Sequence, residues 1–377
     1  MLLLDRENLD KKTLESVRKI VIISPQTELS SQVAGLLRTH GFENLEIKNE
    51  GLDTIRSLSL QADEVLGVIV DIGQVNDVNE IFQILQGLVP QKVWCCLLGE
   101  SDSISLAQSF LQENILYFHS ATQLQLLVQR IVAGIDIPRS RQTVGICVLG
   151  CKGGLGATMI ASRIADFVSN DKKVPVLLAQ GANGSQDLDI CFDKKLGRDV
   201  VDYDANLHLY KGDPQKLSEK TISIYNFVVY DQPIHNLEKE EYASILSHAQ
   251  NFVLVVDRRV PSLRVARQFL EEAQRLSTST GKPIRTFVCV SDNTPDKPKF
   301  MAKADVEHLI RTNVDAVIPY IRGSSKNKVL DVKLGRQGEK AMDDLVLNVL
   351  GMVSRRTKNN STKKNFLDNI VAYLLKK

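Results

Sequence analysis

Residues 150–158 read Gly150-Cys151-Lys152-Gly153-Gly154-Leu155-Gly156-Ala157-Thr158 and close the apolar run TVGICVLG (143–150). A glycine turn between a strand and a helix lets backbone N–H groups approach phosphate oxygens with no Cβ in the way. The helix is predicted just beyond, because Ile160, Ile164 and Val168 recur at helical spacing with Ala161 and Ala165 beside them. A phosphate loop usually ends Gly-Lys-Ser/Thr, and that lysine reaches the β- and γ-phosphates. Here Ala157 takes the lysine's place, while Thr158 keeps the hydroxyl that can meet Mg²⁺. Residues Lys152, Gly153, Gly154, Leu155, Gly156, Ala157, Thr158 and Met159 are therefore expected to hold a nucleotide. The group that most stabilises charge on a transferred phosphoryl is missing. The plain alternative is a glycine turn that only packs a helix on a sheet.

Outward from the loop, short apolar runs alternate with helical patterns. VPVLLAQ (174–180), YNFVVYDQP (225–233), NFVLVVD (251–257), RTFVCVSD (285–292) and DAVIPYI (315–321) follow it, with a helix over Ser262–Leu276. An earlier series comprises KIVIIS (19–24), LGVIVDIG (66–73), VWCCLLG (93–99) and ILYFHS (115–120), with helices over Leu29–His40 and Val78–Leu88. Strands alternating with helices predict α/β units with mainly parallel sheets. The stretch Ile135–Gln142 is polar, contains Pro138 and reads as a linker. The expected division is a first domain over 1–137, a linker over 138–143, a second domain over 144–352 and a basic tail over 353–377.

The 377 residues and a 43% hydrophobic fraction suit two domains with proper cores. No apolar run reaches the ~18 residues of a membrane span. The start MLLLDRENLDKK lacks the basic region and cleavage site of a secretory signal, so a cytoplasmic location is expected. Cys95, Cys96, Cys147, Cys191 and Cys289 lie in or beside apolar runs and no CxxC pair occurs, so metal or redox use is not expected. The net charge of +2 is uneven: residues 351–377 carry seven basic residues and one acid. The remainder is net acidic, so no nucleic-acid partner is expected.

Asp231 ends the strand VVYDQP (228–233), where a carboxylate beside a phosphate loop suits a Mg²⁺ ligand. A strand-ending Asp that makes a turn is the simpler reading. Thr158 and Asp231 are the metal candidates, with ATP and Mg²⁺ the expected cofactors. No catalytic residue is assigned.

The stretch KGGLGAT (152–158) resembles the deviant phosphate loop KGGxGKT of the ParA/MinD ATPases. YDQP resembles their hhhhDxP strand end, and DRRVPSLR (257–264) and AVIPY (316–320) fall in the expected order. The resemblance covers residues 143 to about 350 and implies a ParA/MinD-type P-loop domain. It implies a homodimer in which Lys152 reaches the partner's phosphates. Two departures stand out: Ala157, and Gln180 and Ala182 where the family has a DxD that positions Mg²⁺ and water. Asp187 and Asp189 lie downstream at a spacing that makes them poor replacements. Ser291 or Asn293 is expected to meet the base.

The first series is similar to a response-regulator receiver, a flavodoxin-like domain. Asp71 stands where the phosphoacceptor would be. Ser24-Pro25-Gln26 replaces the acid pair and Phe118-His119-Ser120 the lysine, so Asp71 is expected to be structural. A degenerate receiver before a degenerate ParA/MinD-like domain resembles the TadZ/CpaE family. That implies a scaffold placing the Tad (tight adherence) pilus and secretion machinery at a cell site, commonly a pole, with Tad components as partners and little or no hydrolysis. An active positioning ATPase and a nucleotide-free interaction module are the alternatives.

The tail KKNFLDNIVAYLLKK (363–377) puts Phe366, Leu367, Ile370, Val371, Leu374 and Leu375 on one helical face. It resembles the membrane-targeting helix of MinD. It is expected either to meet the inner-membrane surface or to dock on protein.

Overall fold

The computed structural model describes residues 18–55, 58–91, 93–133, 141–181, 183–295, 301–321 and 328–351. The first unit runs β1 (Lys19–Ile23), α1 (Thr27–Thr39), β2 (Leu45–Lys48), α2 (Leu52–Ile55), β3 (Val65–Gly73), α3 (Val78–Leu88), β4 (Trp94–Gly99), α4 (Ile104–Gln112), β5 (Leu116–His119) and α5 (Leu124–Ala133). Its sheet is parallel in the order β2-β1-β3-β4-β5, the flavodoxin-like arrangement. The central strands are buried on both faces, which is why they read as continuous Val/Ile/Leu runs. One core packs α3 and α4 on the sheet through Ile81, Ile84, Leu85 and Phe110; the other packs α1 and α5 through Val33, Leu37, Leu127 and Ile131. Each fully buried aliphatic side chain contributes about 1.5–3 kcal/mol.

The second unit runs β6 (Val144–Gly150), α6 (Ala157–Asp166), β7 (Val176–Gln180), α7 (Leu188–Phe192), β8 (Val201–Asp202), β9 (Leu207–Lys211), α8 (Glu219–Ile222), β10 (Phe227–Pro233), α9 (Tyr242–Ser247), β11 (Asn251–Val256), α10 (Val260–Thr280), β12 (Arg285–Ser291), α11 (Lys303–Ile310), β13 (Ala316–Ile318) and α12 (Gly335–Val349). The strand order is β13-β12-β11-β6-β10-β7-β9-β8, parallel except for β8. From β6 the chain winds first to one side and then, at β11, to the other. A crevice therefore opens at the carboxyl end of β6, between β10 and β11, where open α/β sheets bind ligands.

The α/β class and the parallel sheets agree with expectation. Strands β2, β8 and β9 are additions. β2 is a partly exposed edge strand whose Leu-Glu-Ile-Lys alternation carries little apolar signal. Residues 315–321 were expected as one strand, but β13 stops at Ile318, before Pro319. Proline cannot donate to a ladder.

A buried polar seam joins the units. Asn226, just before β10, donates through Nδ2 to Gln86 O and Val89 O (both 2.8 Å) and accepts from Gln91 N–H at 2.8 Å. Arg141, inside the expected linker, is only 2% exposed and donates to the carbonyls of Val89 (2.6 Å), Pro90 (3.0 Å) and Val93 (3.2 Å). Burial lowers the Arg141 pKa.

Candidate nucleotide site

The loop after β6 leaves the sheet with Gly154 and Gly156 at φ +73° and +77°. Both are left-handed conformations that side chains resist, and Gly156 is the N-cap of α6. Cys151 N–H is tied to Val255 O at 3.0 Å, and helical bonding resumes with Ile160 N–H to Gly156 O at 3.1 Å. Between them, the N–H groups of Gly153 through Met159 donate to no protein acceptor among the described residues. Seven free amides at one turn, beside a cleft of about 790 Å³ lined by the same loop, are the donor set that an anion cradle needs.

Strand register places the acids. Asp231 of β10 lies beside Val148 of β6 on one side and Gln180 of β7 on the other. Thr158 Oγ1 donates to Asp231 Oδ2 at 2.6 Å, and Gln180 Nε2 donates to the same oxygen at 3.0 Å. Asp231 is 4% exposed. Burial pushes its carboxyl above the usual range, the Thr158 and Gln180 hydrogen bonds oppose this, and the charge of Asp187 adds to it. A hydroxyl and a carboxylate at one end of the cradle are the donor set expected for Mg²⁺ beside a phosphate, so the residues fit the cation.

One expectation is corrected. Asp187 reaches the site despite its spacing from β7. The chain doubles back over Gly181–Gln186, with Gly184 N–H bonded to Gly181 O (3.0 Å), Gln186 at φ +58° and Lys211 Nζ on Gln186 O (2.8 Å). This return lays Asp187 Oδ1 3.2 Å from Gln180 Nε2, where it also accepts from Ser185 Oγ. Asp189 lies farther out, 3.7 Å from Lys211. Ala182 is outside the described residues.

Lys152 lies in the same cleft but is already engaged. Its Nζ is 3.2 Å from Oδ2 of Asp257, which also accepts from Arg259 N–H (3.1 Å) and from Ser262 Oγ. A reach across a dimer would first have to open this pair. Leu155, Ala157 and Met159 line the cleft, as do both base-contact candidates, Ser291 and Asn293. Between those two, Asp292 is held by Arg258 Nε at 2.7 Å.

Asp71 is placed differently. It is 4% exposed, accepts from Ser24 Oγ at 2.6 Å and from Gly73 N–H at 2.9 Å. Among the described residues no helix is long and apolar enough to cross a membrane, and no cluster of three or more His, Cys, Asp or Glu could hold a metal by itself. Residues 363–377 lie outside the described residues.

No protein-family model and no curated protein matches the chain. Solved structures similar to it include a ParA family ATPase from Chlorobium tepidum TLS, at 18% identity, covering 55% of this chain and 99% of that one, with a TM-score of 0.39. MinD from Aquifex aeolicus is 18% identical over 55% of this chain and 98% of its own, with a TM-score of 0.43. MinD from Pyrococcus horikoshii OT3, complexed with Mg-ADP, is 16% identical over 55% and 96%, with a TM-score of 0.41.

Proposed function

We propose that this chain is a nucleotide-binding positioning protein that holds ATP with Mg²⁺ in the 150–158 loop and turns it over slowly or not at all. The observation that carries this reading is the pairing of seven free loop amides with Ala157. Backbone donors bind a phosphate chain in the ground state and need no lysine. Losing the lysine removes stabilisation needed chiefly in the transition state, and each 1.36 kcal/mol lost there is about tenfold in rate.

The finer reading is a scaffold for the Tad pilus and secretion machinery. It is supported by the order of the two α/β units and by the motifs at 152–158, 230–233, 257–264 and 316–320. On this reading the protein works as a homodimer in the cytoplasm, at the inner membrane or a pole. Lys152 leaves Asp257 to meet the partner's phosphates, and the basic tail 363–377 contacts the membrane or a Tad component.

Binding of a fluorescent ATP analogue and phosphate release, measured on one preparation, test the reading. Expected are saturable binding and turnover near background, with Lys152→Ala weakening binding. Rapid turnover establishes a cycling ATPase instead, a rival that the carboxylate of Asp187 in the cleft favours. Absence of binding establishes a nucleotide-free interaction module. Liposome co-sedimentation with and without residues 363–377 tests the tail.

A further inference from the structure

Gln180 is fully buried, and its amide has a fixed orientation. Its Oε1 accepts from Leu188 N–H at 3.1 Å, so the NH₂ must face the acids. That NH₂ has two protons, and two carboxylates receive them: Asp231 Oδ2 at 3.0 Å and Asp187 Oδ1 at 3.2 Å. Thr158 supplies a second donor to the first acid and Ser185 a second donor to the other. The network is closed on those two oxygens. Asp231 Oδ1 and Asp187 Oδ2 receive no protein donor among the described residues, and both residues line the cleft.

The charge balance of the cleft is uneven. Lys152 is paired with Asp257, Lys211 bonds Gln186 O and lies near Asp189, and position 157 brings no cation. A polyphosphate seated on the free amides would add negative charge beside two carboxylates. Like charges at such range repel strongly where water is scarce. A divalent cation between phosphate and acids turns that repulsion into attraction. Mg²⁺ is commonly held in this way, by one or two carboxylates together with substrate phosphates.

We infer that Asp187 is the second carboxylate facing the divalent cation of the bound nucleotide, and that Gln180 is its positioning residue. The exchange at position 180 then moves the second acid to position 187 and leaves an amide strut behind. This inference rests on the nucleotide-binding reading above. It makes that binding depend heavily on magnesium, because position 157 brings no cation to the phosphates and Lys152 is paired with Asp257.

The test is titration of a fluorescent ATP analogue onto the full-length protein with magnesium and with EDTA, read as the ratio of the two Kd values. Wild type is expected to bind far more tightly with magnesium. Asp187→Asn should lower that gain about tenfold, the scale seen when groups supporting a metal are removed. Gln180→Ala should lower it in the same direction, while Asp189→Asn should leave it as in wild type. A general structural defect would shift thermal stability and both Kd values without changing their ratio. If Gln180→Ala does not fold, Asp187→Asn decides alone. Asp187→Asn with the wild-type ratio overturns the inference. So does wild-type binding indifferent to magnesium, which spares the nucleotide reading. Failure of wild type to bind under either condition overturns both.

Discussion

Asp71 and Asp231 invite comparison because their local settings are nearly the same. Each lies two residues before the carboxyl end of an inner strand with parallel neighbours, is 4% exposed, and accepts from a hydroxyl at 2.6 Å. What differs is the loop beside it. Next to Asp71, Ser24-Pro25-Gln26 turns at once into α1, and Ser24 Oγ serves both the acid and Gln26 N–H at 3.0 Å. Next to Asp231, six residues intervene before α6 and its first turn leaves amides free. An acid at a strand end becomes part of a site when its neighbouring backbone keeps donors to spare. Otherwise it is an internal tie.

The largest effect is expected at the seam between the two regions. Asn226→Leu strands the buried carbonyl of Gln86 and the Gln91 amide, and leaves Val89 O with Arg141 as donor. It should cost about 3 kcal/mol, read as a lower urea midpoint. If the units unfold in separate transitions without it, the seam is what makes them cooperative.

At the site, Asp231→Asn should abolish the magnesium dependence of nucleotide binding, whereas Asp71→Asn should leave it unchanged. The pH dependence sharpens the contrast. Burial raises the folded-state pKa of Asp231 above its unfolded value. Its contribution to stability is therefore full below the unfolded pKa and is lost as pH rises through the raised folded one. Asp231→Asn should raise the melting temperature of the nucleotide-free protein at neutral pH, with the advantage shrinking as the medium is acidified. Magnesium-linked binding has the opposite sign, since the ligand must be charged. It should weaken as pH falls through that same raised range, and Asp231→Asn should remove this titration.

Smaller effects complete the series. Among the described residues, Lys152→Ala leaves buried Asp257 with Ser262 and Arg259 as partners, but Lys152 is 37% exposed. The loss should be about 1 kcal/mol or less, seen in the thermal melt. Asp71→Asn keeps the acceptor for Gly73 N–H but puts an NH₂ where Oδ2 accepted from Ser24 Oγ, which can turn to Gln26 O, so it should change stability by about 1 kcal/mol. A change in the magnesium dependence of nucleotide binding in Asp71→Asn would break the view of Asp71 as an internal tie.

Much of the fold was legible because buried parallel strands must be apolar on both faces. That signature marks β1, β3, β4, β6, β7 and β10 to β12 to within about two residues at either end. The edge strands β2 and β8 were not legible, because a strand with one free edge tolerates polar residues; β9, Leu-His-Leu-Tyr-Lys, is paired on both sides, but its polar residues break up the apolar run. At the site, the loop, Thr158 and Asp231 were readable as strand–turn–helix chemistry. Asp187 was not, because its approach depends on the return of 181–186 and on the Lys211 contact from another strand. Nor could spacing show that Lys152 lies on Asp257, 105 residues away.

Sequence alone determined the alternation of strands and helices, the glycine turn, and the absence of a lysine at 157. These follow from side-chain type and local backbone freedom, which act over a few residues. Only tertiary structure decided which groups meet in the cleft. Register set Gln180 against Asp231, a reversing loop brought in Asp187, and burial raised the cost of charge on Asp231. Those outcomes come from distances across the sheet and from the exclusion of water, and neither is written in the spacing of residues along one strand.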